Sequence, residues 1–183
     1  TDTDTFQLGE VAGTTGSYLL SSGTLNQAGL VYIGNAGTGV FIQTGGTHTQ
    51  ADGFVTYIAN DVGSSGEYTI SGGSWKTGGQ IRLDGGHATL TISGGTLNVD
   101  PNGASSIVLA YNQNGTGTMS VSDAAVVIVS GDLLVGRDGD GVYLQTGGDV
   151  TLGDDLFLAS RNNGPTGFMD VSGGTVRVGD AVT

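Results

Sequence analysis

An eight-residue unit recurs along the whole chain and restricts the fold more than any other feature. Gly66 to Gly73 reads Gly-Glu-Tyr-Thr-Ile-Ser-Gly-Gly, and copies stand at Gly16 to Gly23, Gly39 to Gly46, Ala88 to Gly95, Gly117 to Ala124, Gly141 to Gly148 and Gly167 to Gly174. Seven copies about 25 residues apart indicate a solenoid, in which each repeat buries its apolar face only against the next. The 183 residues include 36 glycines but only 2 prolines. The glycines sit at regular positions, as turns require, and one domain is expected.

Each repeat divides into three short runs of alternating apolar residues separated by Gly, Asn or Asp turns. The first run ends at Leu8, Ile33, Ile58, Leu83, Leu109, Val135 and Leu158. Two residues earlier stand Phe6, Val31, Thr56, Ile81, Ile107, Leu133 and Leu156. Period two places both columns on one face of a strand, which is expected to point inward. The second run contributes the inward column Tyr18, Phe41, Tyr68, Leu90, Met119, Tyr143 and either Phe168 or Met169, then Leu20, Gln43, Ile70, Ile92, Val121, Gln145 and Val171. Parallel coils about 4.8 Å apart stack like residue on like. The two glutamines are expected near a coil corner, where an amide finds backbone partners. A hydroxyl follows in every repeat, from Ser21 and Thr44 to Ser172, and suits bonding to the turn. The third run is read at Thr24-Leu25, Thr47-His48, Ser74-Trp75, Thr96-Leu97, Ala125-Val126, Asp149-Val150 and Thr175-Val176, with Val99, Ile128, Leu152 and Val178 further along. No stretch has helical periodicity, so the fold is read as all-β, a three-sided solenoid of about seven coils.

The pattern Ile-Gly-x-x-Gly-x-Gly-x-Tyr/Phe-x-Ile/Gln-Ser/Thr-Gly-Gly-Thr-x-x-Val, as in Ile33 to Gln50 and Leu90 to Val99, resembles the glycine-rich repeats of bacterial extracellular β-helix proteins, including autotransporter passenger-type repeats. The resemblance covers essentially the whole chain. It implies a right-handed parallel β-helix at the cell surface or outside the cell, used as a surface fibre, matrix component or adhesin, with enzymes in a minority. Fold alone does not fix function.

Composition excludes some partners. With 17 acidic and 5 scattered basic residues the net charge is −12, which disfavours nucleic acid and anionic membrane surfaces. No apolar run reaches the roughly 20 residues of a membrane span. No cysteine is present, so no disulfide framework is implied. A lyase or hydrolase, the third-ranked reading, would need clustered carboxylates with a base. Asp154 and Asp155 are adjacent and alternate faces, and no lysine or arginine shares their column. Catalysis and a resident cofactor are therefore not expected. Asp138 and Asp140 in a glycine-rich loop are weak calcium candidates that lack a downstream bidentate Glu. His48 and His87 have no second ligand at metal-binding spacing.

Two surfaces remain. The outward positions of the first run, Gln7, Tyr32, Tyr57, Arg82, Val108, Leu134 and Phe157, are unusually apolar and suit an assembly or binding strip. A register error of one residue or a covering loop would remove the strip. If exposed, it suits packing against a second rod or, through its tyrosines, stacking on sugar rings. At the ends, repeat one starts soon after Thr1 and repeat seven stops near Thr183, with no capping segment evident. Phe6, Leu8, Tyr18, Leu20, Val171, Val176 and Val178 are thus the expected end-to-end interface of a subunit stacking head to tail into a filament. The core stack behind them is Ile33, Phe41, Ile58, Tyr68, Ile70, Leu90, Ile92, Met119, Val121 and Tyr143. Glycan binding by an adhesin stalk is the alternative function.

Overall fold

The computed structural model describes residues 4–161 and 164–179. Those residues form an all-β solenoid of seven coils without a helix. One face is a seven-stranded parallel sheet of three-residue strands, Phe6–Leu8, Val31–Ile33, Thr56–Ile58, Ile81–Leu83, Ile107–Leu109, Leu133–Val135 and Leu156–Leu158. Their register is constant, so Leu8, Ile33, Ile58, Leu83, Leu109, Val135 and Leu158 lie in one column, as the repeat predicts.

The second face is built from Thr15–Leu20, Thr38–Gln43, Ser65–Ile70, His87–Ile92 and Thr116–Val121, and the third from Thr24–Gln27, Thr47–Asp52, Ser74–Gly78, Thr96–Val99 and Val126–Val129. In coils six and seven the strands Asp140–Leu152 and Gly167–Arg177 run through the corner and join both faces into one sheet. Met169, not Phe168, pairs with Tyr143 and enters the column; Phe168 points outward. In coil five the inward pair is Val127 and Val129, one residue beyond the expected Val126 and Ile128. The reason is Ala125, whose carbonyl accepts the next coil's Asp149 N–H in the place that Gly95 fills for Val126, so Ala125 is a corner residue and not the first of the run.

Glycine is needed where the second face begins. A Cβ on Gly39 would lie 2.1 Å from the Gly34 nitrogen, and one on Gly141 2.0 Å from the Gly136 nitrogen, because the chain doubles back there onto the end of the first face. The interior is then filled by the predicted stacks: Ile33, Phe41, Ile58, Tyr68, Ile70, Leu90, Ile92, Met119, Val121 and Tyr143 are all buried. Each stacked aliphatic residue contributes roughly 1.5 to 3 kcal/mol. Gln43 and Gln145 stand at the corner, as expected. Gln43 Nε2 donates to the Ser74 carbonyl at 2.9 Å, while Gln145 Nε2 donates to the Gly148 and Thr175 carbonyls at 3.1 and 3.2 Å.

Candidate functional site

The outward strip of the first face is in the expected register, and its residues build one aromatic and cationic ladder. Parallel pairing sets Tyr32 over Tyr57, with ring centroids 4.9 Å apart and planes within 7°. Arg82 follows in the column, its guanidinium carbon 5.6 Å from the Tyr57 centroid. Coil five supplies only Val108, which is buried rather than exposed. Tyr111, from the turn beyond it, supplies the next ring, 4.0 Å from the Arg82 guanidinium carbon and 3.8 Å from that of Arg137. The order is Tyr32, Tyr57, Arg82, Tyr111, Arg137. Each cation lies within reach of a ring quadrupole, and Arg82 lies within reach of two. Tyr111 was not legible as a member, because it stands outside the alternating run. Beyond the ladder, Leu134 is half-buried and Phe157 is 40% exposed.

Under the ladder lies Asp84, almost fully buried. The turn from Leu83 to His87 is three residues long, whereas those after Ile58 and Leu109 are six, so the neighbouring coils overhang it. Asn112 Nδ2, from one of these longer turns, donates to Asp84 Oδ1. Burial pushes the Asp84 carboxyl up to about 6; the nearby Arg82 and Arg137 charges and the Asn112 bond oppose that rise, and Asp61 adds to it. Asparagines continue along the turn column, with Asn60 Nδ2 donating to Asn35 Oδ1 and Asn35 Nδ2 to Gln7 Oε1, at 3.0 and 3.1 Å.

The acidic candidates are already engaged. Asp138 pairs with Arg137 at 3.6 Å, and Asp140 Oδ1 accepts the Thr166 hydroxyl at 2.6 Å and its N–H at 3.2 Å. They line a polar hollow with Gln113, Asn114 and Pro165, and among the described residues they do not converge with a third acidic group. Elsewhere Asp132, Asp154 and Asp155 bring one carboxylate oxygen each within 4.8 Å of the others. The backbone makes that approach, since the Asp155 N–H donates to Asp132 Oδ1 at 3.0 Å.

His48 is an interior residue. It is fully buried between aromatic neighbours, with ring centroids 5.3 Å from Phe41 and 5.5 Å from Trp75. Tyr68 donates its hydroxyl hydrogen to Gln43 Oε1 at 2.9 Å, so its oxygen accepts from His48 Nδ1 at 2.9 Å. That fixes the proton on Nδ1 and leaves His48 Nε2 buried without a partner. Protonating Nε2 would bury a charge, and desolvation holds the imidazole down to about 4. His87 is exposed and bonds Thr116 Oγ1 at 2.8 Å.

The ends differ from the expected interface. Leu8 and Leu20 are buried, so they leave the list of end-facing residues, while Phe6 and Tyr18 are half-buried and pack edge to face at 5.5 Å. At the other end Leu158 is 49%, Val171 44% and Val178 50% exposed, with Val176 half-buried. Thr1–Thr3 and residues 180–183 lie outside the described residues. Among the described residues no helix is long and apolar enough to cross a membrane. Family models, curated proteins and solved structures offer no match to this chain.

Proposed function

We propose that the protein is a non-catalytic structural rod of the bacterial surface or extracellular matrix, working as a subunit that stacks end to end into a fibre. The observation that carries this reading is the constant register of the first face from coil one to coil seven, which gives the two ends of that face matching strand edges. Leu158, Val171 and Val178 present apolar columns of the same kind at the seventh coil, where a further coil would bury them. A strongly acidic surface suits a fibre that must stay dispersed until its ends meet.

The alternative of an adhesin stacking sugar rings on the tyrosines asks for open ring faces. Tyr32 and Tyr57 each give one face to the other, and Arg82 lies on the far side of Tyr57. Acidic-polysaccharide cleavage asks for a free carboxylate beside a base, and Asp138 and Asp140 are engaged in local contacts.

Electron microscopy of the purified chain, confirmed as intact by mass spectrometry, tests the fibre. Filaments with an axial repeat near seven coils, about 34 Å, are expected. Discrete short rods at every concentration would overturn end-to-end stacking.

A further inference from the structure

Glycine closes one corner of the solenoid for a reason that does not apply to coil one. Between the second and third faces the chain passes through Gly45, Gly72, Gly94, Gly147 and Gly173 in coils two, three, four, six and seven. None of these five takes a left-handed φ, so backbone conformation does not call for glycine there. Packing does. A Cβ on Gly45 would lie 2.3 Å from the Ser21 carbonyl oxygen, on Gly72 2.6 Å from that of Thr44, on Gly94 2.7 Å from that of Ser71 and on Gly173 2.3 Å from that of Thr146. On Gly147 it would lie 2.7 Å from the Asp123 nitrogen. In each case the obstacle is backbone of the preceding coil. Coil five lacks the glycine, and there the corner has one more residue, with Asp123 at a φ of 53°.

Coil one carries Ser22 at this place, exposed. Its corner is otherwise of the same kind, since Gly23 has a φ of 79°, against 69° for Gly46 and 80° for Gly73. We propose that Ser22 limits how tightly a second copy of the chain seats its coil seven on coil one, so that the joint closes along the first face and stays propped open at this corner. The inference rests on the fibre reading. Continuing the pattern across the joint sets the Ser22 Cβ against the Ser172 carbonyl of the second copy, as Gly45, Gly72, Gly94 and Gly173 are set against Ser21, Thr44, Ser71 and Thr146.

The strands of the first face contain no glycine, so pairing there requires no missing Cβ. Phe6–Leu8 and Leu156–Leu158 are its two edge strands, each paired on one side only among the described residues. Charges act at the same joint in opposite senses. The ladder of backbone bonds, continued by one coil, sets Asp4 beside Asp154 of the second copy and Glu10 near its Arg161. At about 1 M salt the Debye length is about 3 Å, less than the coil spacing of about 4.8 Å, and the effect of the corner is separated from that of charge.

Sedimentation of polymer from the purified chain at about 1 M sodium chloride gives the critical concentration for assembly. Ser22→Gly removes the Cβ and should lower that concentration severalfold. Ser22→Ala keeps the Cβ, loses only the hydroxyl, and should leave it within about twofold of the parent chain. Gly45→Ala places the same Cβ inside the rod and should lower the urea midpoint, whereas both Ser22 variants should keep it. A critical concentration that Ser22→Gly does not change, or that Ser22→Ala lowers as much, overturns the proposal and leaves fibre assembly in place. An unchanged urea midpoint for Gly45→Ala overturns the packing argument beneath it. Failure of every variant to sediment at any concentration overturns the fibre reading, and the proposal with it.

Discussion

Coils two and three are packed differently from coils four and five, although the first and second faces keep the same register through all four. In the first region the interior holds Phe41, Gln43, His48, Gln50, Thr56, Tyr68, Trp75 and Thr77, all buried. Its rings lie nearly parallel, Tyr68 on Trp75 at 4.2 Å and on Phe41 at 4.4 Å. Its polar atoms are wired together: Gln50 Oε1 accepts from Thr56 and Thr77 at 2.8 and 2.7 Å, and its Nε2 donates to the Gly29 and Val55 carbonyls. In the second region the equivalent columns hold Ile81, Leu83, Leu90, Ile92, Leu97, Val99, Ile107, Leu109, Met119, Val121, Val127 and Val129. One coil geometry thus accepts either dispersion and hydrophobic burial alone or a hydrogen-bonded aromatic cluster. The difference is sensitivity. The aliphatic columns themselves hold nothing to titrate, while the aromatic ones hold His48 with an unpartnered nitrogen.

The largest predicted effect breaks the aliphatic region. Leu90→Asp buries a carboxylate with no partner, a cost of several kcal/mol, and the chain should lose its sheet signal in far-ultraviolet circular dichroism at 25 °C. A folded variant with unchanged melting would sink the stacking argument.

Next is acid. Between pH 6.5 and about 4 the unfolded chain holds a proton on His48 that the folded chain does not, so stability falls as pH drops through that window. The loss is complete below about pH 4 and amounts to roughly 3 kcal/mol. His48→Leu places in coil two the residue that Leu25 and Leu97 provide in the same column, and should flatten this acid limb in urea titrations.

Asp84 acts with the opposite sign. Its folded carboxyl is raised to about 6, so the folded chain binds the extra proton between about 4 and 6, and stability falls as pH rises through that range. Asp84→Asn keeps an acceptor for Asn112, and should raise the melting temperature at pH 7 while steepening the acid limb left by His48.

Tyr68→Phe sharpens the contrast further, since that hydroxyl serves both His48 and Gln43, whereas the Tyr143 hydroxyl serves Gln145 alone, at 2.7 Å. Phenylalanine at 68 should cost about 1 to 3 kcal/mol and at 143 nearer 1, measured by urea unfolding at pH 7. The smallest effect belongs to the outside ladder, where Arg82→Ala should cost about 0.5 to 1 kcal/mol.

Several features escape a reading along the chain because they depend on neighbours in space. Val126-Val127-Ile128-Val129 is apolar at every position, so alternation fits two frames, and only the corner at Ala125 selects one. Tyr111 joins the ladder because Val108 is too small to continue it and the six-residue turn reaches back. Asp84 is buried by the unequal turn lengths of three successive coils, a relation that no single repeat contains. The grouping of Asp132 with Asp154 and Asp155 likewise follows from coil height, which brings positions more than 20 residues apart together.

By itself the sequence determined the coil, its three faces, the inward columns outside coil five and residue 168 or 169, and the corner role of the two glutamines, because period-two alternation repeated about every 25 residues fixes which face is buried wherever polar residues break the run. Tertiary structure decided what each column does once stacked: which tyrosines meet face to face, which nitrogen of His48 carries the proton, which carboxylate is roofed over and which end-facing leucines are covered. Those outcomes turn on distances of a few ångströms between adjacent coils, and such distances are set by turn lengths and side-chain sizes in the neighbours rather than by the residue's own place in the repeat.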